Sequence, residues 1–463
     1  MSNENNLFLY NMYKNKVSKY VGKLKQLGSG DFANIPVNTL PFNQLTLPEL
    51  ITLYRSGSQS VRDNFHEYSN FDFYDQPLPA GLSLRLFRQM FPRCKGVNIQ
   101  GRNDITDADF VHLVGIEKLF MSGCNQPTIT DAAFVHLRGI QALDMYGCNQ
   151  ATITGAGFVH IRGIDFLNIS DCGQITDAAF VHLKGIRELG MYNCVQITNA
   201  VFVHLKGIYA LNMDNCVRIT DEAFVHIRGI HTLFMDHCPL ITDAAFVHLR
   251  GIHTLNMSNC RQRTITNAAF VHLHGIHTLE MANCNQETIT DAAFQYLGDI
   301  KSLNMQDCIQ IQEIAFVHLR GIHTLNIEGC QQITDFAFTY LQGIHTLNMT
   351  ACNQQTITDQ AFVHLRGIHT LDMSWCRQIR DAAFAYLQGI HTLIMKGCNG
   401  NGITDAAFVH LRGIHTLNMH FCNQPTITGA EFAHLRGIHT FIMRGCRPAQ
   451  VAAAQALGLT VIT

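Results

Sequence analysis

The stretch Ile403-Thr404-Asp405-Ala406-Ala407-Phe408-Val409-His410-Leu411-Arg412-Gly413-Ile414-His415-Thr416-Leu417-Asn418-Met419-His420-Phe421-Cys422 decides how this chain is read, because close copies of it recur along most of the sequence. Apolar residues alternate across Leu417 and Met419, the period-two signature of a short strand with one face turned inward. Ahead of that strand, Phe408 and Leu411 lie three apart on one face of a short helix. Thr404 or Asp405 can cap its start, and Gly413 suits the left-handed position that stops it. One helix and one strand cannot bury their apolar faces alone, so the copies must stack on a shared core.

Sixteen such strands are countable, the first at Val97 to Ile99, where Arg102 stands in the cysteine slot, and the last at Phe441 to Met443 before Cys446. A truncated seventeenth follows. The chain has 16 cysteines, and those from Cys124 to Cys446 recur every 22 or 24 residues. Equivalent side chains in stacked repeats lie about 4.8 Å apart, and a continuous ladder of them cannot all pair. They read as buried free thiols, which implies a reducing compartment, cytoplasmic or nuclear. The two extra residues of longer units fall between cysteine and isoleucine, as in Cys422-Asn423-Gln424-Pro425-Thr426-Ile427 against Cys172-Gly173-Gln174-Ile175. That places them in the strand-to-helix loop.

Helices are about 10 Å wide and paired strands about 4.8 Å apart, so stacking puts the strands on the inner radius of an arc. The expected fold is α/β: a right-handed solenoid bent into a horseshoe, with parallel strands on the concave face, short helices on the convex face and a small N-terminal helical domain. At the other end Pro448, the helix formers Ala449 to Leu457, the stop at Gly458 and the strand Leu459 to Ile462 form a cap.

The run Leu-x-x-Ile-x-x-Leu-x-Met-x-x-Cys, with Ile-Thr-Asp opening the next helix, resembles the cysteine-containing leucine-rich repeats of F-box proteins over residues 92–463. Members of that class carry an F-box ahead of the repeats. Here Ile35-Pro36-Val37-Asn38-Thr39-Leu40, Leu45, Glu49-Leu50-Ile51-Thr52-Leu53 and Ser58 to Phe65 are similar to one, although Pro41 and a missing tryptophan depart from the pattern. The resemblance implies that Ile35, Pro36, Leu40, Leu45, Leu50, Leu53 and Val61 dock the Skp-type adaptor of a cullin–RING ubiquitin ligase; a helical cap without adaptor binding is the alternative. The domain plan is an extension over 1–30, an F-box-like segment over 31–75, repeats over 76–446 and a cap over 447–463.

A formal net charge of −2 and the lack of any basic block argue against nucleic acid as a main partner. Met1 to Lys16 carries no apolar secretion-signal core, and no run of about eighteen apolar residues offers a membrane span. Two histidine ladders, His136, His182, His248 and His410 on the helix and His253, His345, His369 and His415 entering the strand, supply one ligand per repeat. Zinc needs several convergent ligands, so these read as stacked surface imidazoles; no metal or cofactor is expected. Catalysis needs a distinguished residue, and the repeated thiols provide none, so the chain is not expected to be an enzyme.

Function should therefore reside where strand side chains flank the inner Leu and Met. The candidate partner-binding residues are Phe120, Tyr146, Tyr192, Asp214, Phe234, Asp236, Glu280, Glu328, Trp375, Lys396, His420 and Arg444, with Phe421 beside Trp375 as a second anchor. Along the arc they pass from aromatic through acidic to basic. The expectation is a protein–protein interaction solenoid, the substrate-recognition subunit of an SCF-type ubiquitin ligase that captures its target on the concave face. The alternative is a non-catalytic scaffold or host-directed effector with no ubiquitin link.

Overall fold

Sixteen three-residue strands, from Gly96–Asn98 to Thr440–Ile442, pair in parallel and in chain order. Register is set repeat to repeat, Leu279 lying between Leu255 and Leu303. Val461–Ile462 adds the expected truncated rung at one end, and Asp72–Phe73 adds one at the other that the repeat pattern did not announce. The computed structural model describes residues 47–56, 72–73 and 76–463.

The short helix returning to each strand is in most repeats a 3-10 helix. Ala407 N donates to Thr404 O (3.2 Å), Leu411 N to Phe408 O (3.1 Å) and Ile414 N to Leu411 O (3.1 Å), which is the three-residue spacing of a 3-10 helix. Only Asp243–Phe246, Asn267–Phe270, Asp335–Phe338 and Asp381–Phe384 among the returning turns open as a single α-turn. The physical reason is reach: a 3-10 turn rises about 2.0 Å per residue against about 1.5 Å for an α-helix, so the short run from Thr404 to Gly413 can span the wall. Gly413 then reverses the chain at φ +82°.

The two candidate caps divide the work. Thr404 Oγ1 accepts from Ala406 N within its own turn (3.1 Å). Asp381, one repeat earlier, accepts from Thr404 N (2.8 Å) and Thr404 Oγ1 (2.6 Å), so the aspartate ties the next repeat. In longer loops a glutamine does a similar task, Gln354 Nε2 donating to Cys330 O (3.1 Å) and Ile333 O (3.0 Å).

Each unit gives the core one set of side chains. Ile289, Ala293, Phe294, Leu297, Ile300, Leu303, Met305 and Cys308 are all at most 2 % exposed. One continuous cluster runs from Leu47 to Leu459. Arg102, in its cysteine slot, is buried; its Nε and Nη2 bind Asp104 (both 2.6 Å) and its Nη1 donates to Leu82 O (3.0 Å), anchoring the chain ahead of the helix Leu84–Met90. The helix Pro448–Ala456 and Gly458 at φ +76° close the other end.

The helix Leu47–Ser56 covers part of the F-box-like segment. Leu50 is fully buried in the core with Leu47 and Ile51, and is therefore not presented for docking as the resemblance implied. Leu53 belongs to the same helix, whereas Ile35, Pro36, Leu40, Leu45 and Val61 lie outside the described residues.

Candidate protein-binding surface

The strands set side chains in columns along the concave face. One column is the slot before the inner Met, and most of its Asn and Asp members have a structural duty: Asn256 Oδ1 accepts from Ser258 N (2.9 Å), Asn348 from Thr350 N (2.9 Å) and Asp372 from Ser374 N (2.9 Å). These side chains close the turn that ends the strand. Where the slot holds Gly190, Phe234 or Ile394, the preceding rung substitutes, with Ser170 Oγ, Asp214 Oδ1 and Ser374 Oγ accepting from Tyr192 N (3.1 Å), Asp236 N (2.7 Å) and Lys396 N (3.2 Å).

That substitution corrects two expectations. Asp214 is 4 % exposed and accepts a backbone amide, so it is a structural residue and not a free orienting charge. Phe234 is 5 % exposed, flanked by the buried Asn212 and Asn256 on neighbouring strands, so it offers no open anchor. Side chains on rungs about 4.8 Å apart cover one another. Sequence reasoning missed this amide-capping role, although the recurrence of Asn at one slot was its signal.

Tyr146 and Tyr192 remain partly exposed, as does Phe120. A hydrogen bond to Asp171, together with burial, pushes the Tyr146 hydroxyl up to about 12. Asp171 also accepts from Asn193 Nδ2 (2.7 Å), so a residue absent from the expected set links two repeats. Burial raises the carboxyls of Asp144, Asp236, Glu280 and Glu328 above their ordinary range. Asp236 Oδ1 lies 2.5 Å from His237 Nδ1, and Glu328 accepts from Asn348 Nδ2 (3.2 Å). Neither lysine nor arginine occurs in the strand columns between Ala142 and Trp375. The middle of the arc is a partly desolvated acidic surface.

The C-terminal rungs differ. Trp375 (φ +62°, 39 % exposed) and Phe421 (φ +60°, 48 % exposed) occupy the left-handed slot that other repeats mostly give to Gly, Asn or Asp. A Cβ on Gly397 would strike the Trp375 ring, and one on Gly445 the Phe421 ring, so each aromatic lies flat over the glycine of the next rung. Arg377 sits 5.6 Å from the Trp375 ring centroid, and His420 stacks on Phe421 at 4.1 Å. Lys396 and Arg444 share this end, as expected.

The strand-entry histidines stack along the edge of the sheet, His345, His369, His391 and His415 having centroids 4.5 Å apart. Parallel rings at this spacing expose one nitrogen edge each and do not converge on a metal. Among the described residues no group of three metal-binding side chains forms. The thiols, too, are engaged in the fold: Cys172 Sγ donates to Met145 O (3.1 Å) and Cys422 Sγ to Met395 O (2.9 Å). Burial raises each from Cys124 to Cys446, for example to about 12 for Cys148 and Cys308, the opposite of an activated nucleophile. Among the described residues no helix is long and apolar enough to cross a membrane.

The family profile described as BspA type leucine rich repeat region matches residues 195–323 and 310–438, more than half of the chain. The chain belongs to the BspA-type leucine-rich-repeat family. A comparison with curated protein sequences finds no match. Among solved structures, this BspA-type chain is similar to TLR13 in its complex with ssRNA13, at 15 % identity and a TM-score of 0.50, with 79 % of this chain and 62 % of that one covered. It is also similar to Toll in the Toll–Spatzle complex of Drosophila, at 13 % identity and a TM-score of 0.50, with 80 % and 49 % covered. A third match, Rad7 in complex with Elc1 from yeast, has 15 % identity, a TM-score of 0.36 and coverage of 64 % and 85 %. The chain thus spans about half of Toll and under two thirds of TLR13. At these identities the likeness shows the leucine-rich-repeat solenoid, a fold suited to binding proteins.

Proposed function

We propose that this protein is a non-catalytic interaction solenoid that holds a partner protein along its concave strands. The observation that carries the reading is the column after the inner Met, where partly or fully exposed side chains change from Tyr146 and Tyr192 through Asp236 and Glu328 to Lys396 and Arg444. The surrounding positions repeat and have packing or hydrogen-bonding duties. Aromatic anchors amid charges of changing sign give binding energy and orientation respectively.

The test is site-specific photo-crosslinking from positions 192, 328 and 396 against the outer-wall position 250, followed by identification of what is captured. The expected result is one partner from the three concave positions, lost with Tyr192→Ala combined with Glu328→Lys. Equal capture from the outer wall would refute the reading. Asp214 is unsuited to such a test, because its substitution removes an amide partner.

A second reading, substrate recognition for an SCF-type ligase, is favoured by the helix Leu47–Ser56, which falls in the F-box-like segment. Its test is binding of a Skp-type adaptor by the full chain, with Leu53→Asp expected to abolish it. Absence of binding by the unaltered chain leaves the scaffold reading alone.

A further inference from the structure

The C-terminal rungs combine three features whose joint cost the fold does not need. Trp375 and Phe421 hold left-handed backbone, which a bulky side chain adopts only against steric strain. Both rings are exposed and lie over Gly397 and Gly445, forming two flat platforms two rungs apart. Around them stand Lys396, Arg377 and Arg444, and among the described residues none of these cations forms an ion pair with a carboxylate. From Thr346 to Gly445 the strand columns carry one acid, Asp372, which is bound to Ser374 N (2.9 Å) and Ser374 Oγ (2.5 Å).

Resting on the concave-face reading above, we propose that this aromatic and cationic ledge receives a short acidic segment of the partner protein. Its carboxylates pair with Lys396 and Arg444, and an apolar side chain rests against the rings of Trp375 and Phe421. Charge complementarity selects the anion, and the exposed rings require that it carry apolar surface. A nucleic acid fits less well: its phosphates would continue along the arc onto Glu328, Asp307 and Glu280, where the columns hold no lysine or arginine. An acidic peptide segment can end where the ledge ends.

Trp375 is the chain's single tryptophan, so its fluorescence reports on this ledge alone. The full chain is titrated with a synthetic peptide of about twelve residues alternating Asp or Glu with Leu or Phe, and with a control in which every acid is Asn or Gln. The expected result is a saturable change in Trp375 emission for the acidic peptide. It weakens as salt rises, and the dissociation constant rises at least ten-fold in the Lys396→Glu, Arg444→Glu double variant. No saturable change, equal binding of the neutral peptide, or unaltered affinity in the double variant overturns the proposal. Tighter binding of a single-stranded oligonucleotide or a neutral oligosaccharide assigns the ledge to another ligand and also overturns it. So does a dimer, seen by sedimentation, that Lys396→Glu abolishes.

A second variant separates ligand binding from folding. Trp375→Asn places at the left-handed slot a residue that tolerates it, so the melting temperature should rise while peptide affinity by calorimetry falls at least ten-fold. A variant that melts higher and binds as before refutes the role of the ring. If the ledge fails these tests while Tyr192→Ala with Glu328→Lys still removes partner capture, the wider concave-face reading stands and only the acidic-segment proposal falls.

Discussion

Moderate alkalinity should unfold this solenoid, and the size of the effect follows from its thiol ladder. A cysteine in an unfolded chain titrates near 9.0, whereas burial lifts those from Cys124 to Cys446: to about 11 at the ends, Cys124 and Cys446, to about 12 at Cys148, Cys194, Cys260, Cys308 and Cys352, and well above the ordinary thiol value at the rest. A group whose native pKa is raised contributes stability that is complete below its unfolded pKa and is lost as pH climbs toward the native value. The window therefore opens near 9. At about pH 9 each thiol favours the unfolded chain by about 0.4 kcal/mol, and at about pH 10 by about 1.4 kcal/mol. Over the whole ladder this grows from about 6 to about 20 kcal/mol, past the roughly 5–15 kcal/mol that usually holds a domain together. Urea unfolding followed by circular dichroism under reducing conditions, in steps from about pH 7.5 to about pH 10, should show stability falling steeply above about pH 8.5. A variant with Cys260, Cys284 and Cys308 changed to serine should lose about a fifth of that slope. A stability that stays level up to about pH 9.5, or native thiols that react with a maleimide as fast as free cysteine, would show that the ladder is not sealed as described.

Other expectations concern single contacts. Asp381→Ala removes both hydrogen bonds to Thr404 and should cost about 2 kcal/mol in urea unfolding, with Asp381→Asn costing less. Arg102→Met frees Asp104 and Leu82 O, and should cost about 2 kcal/mol while raising hydrogen exchange over Leu78 to Phe91 before the rest of the array responds. Burial, reinforced by neighbouring imidazoles, holds His253, His277, His345 and His391 below the usual histidine value. Burial and the guanidinium of Arg162 or Arg228 do the same for His182 and His248. The native state thus resists their protonation, so stability is complete above about pH 6.5 and falls as the pH drops below it. A melting temperature unchanged between about pH 7 and about pH 5 would refute this.

The solenoid, its strand count and its C-terminal cap were legible in the sequence because they rest on periodicity, which needs no knowledge of partners in space. Leu417 and Met419 announce the strand wherever they recur. The 3-10 geometry was not legible, because Asp405 to His410 suits either helix locally and the choice is made by the distance the segment must span. The rung Asp72–Phe73 keeps the spacing of the longer units, Phe73 pairing with Val97, but the residues around it lack the Leu-x-Met-x-x-Cys pattern that announces the other strands. Among the binding candidates, Asp214 and Phe234 read as variable and hence free, yet the two are a linked pair. With Phe234 unable to cap the Asp236 amide, Asp214 on the neighbouring rung does so. A dependence between residues about one repeat apart is invisible to a column read one position at a time. Trp375 and Phe421 carried their aromatic character openly, but the backbone strain beneath them appears only in three dimensions.

Among the described residues every strand pairs only with its neighbours in chain order, in unbroken register. Contacts therefore never span much more than one repeat in sequence, and the chain can nucleate at any pair of units and zip outward. The same locality gives the array a growth rule. Recombination between near-identical copies inserts or deletes a whole unit, the Met–carbonyl, Asp–Thr and Phe contacts re-form across the new junction, and everything beyond it moves by one rung. The span between the acidic middle and the aromatic ledge at Trp375 is thereby adjustable in steps of about 4.8 Å, a ruler whose markings can be changed without redesigning the material it is cut from.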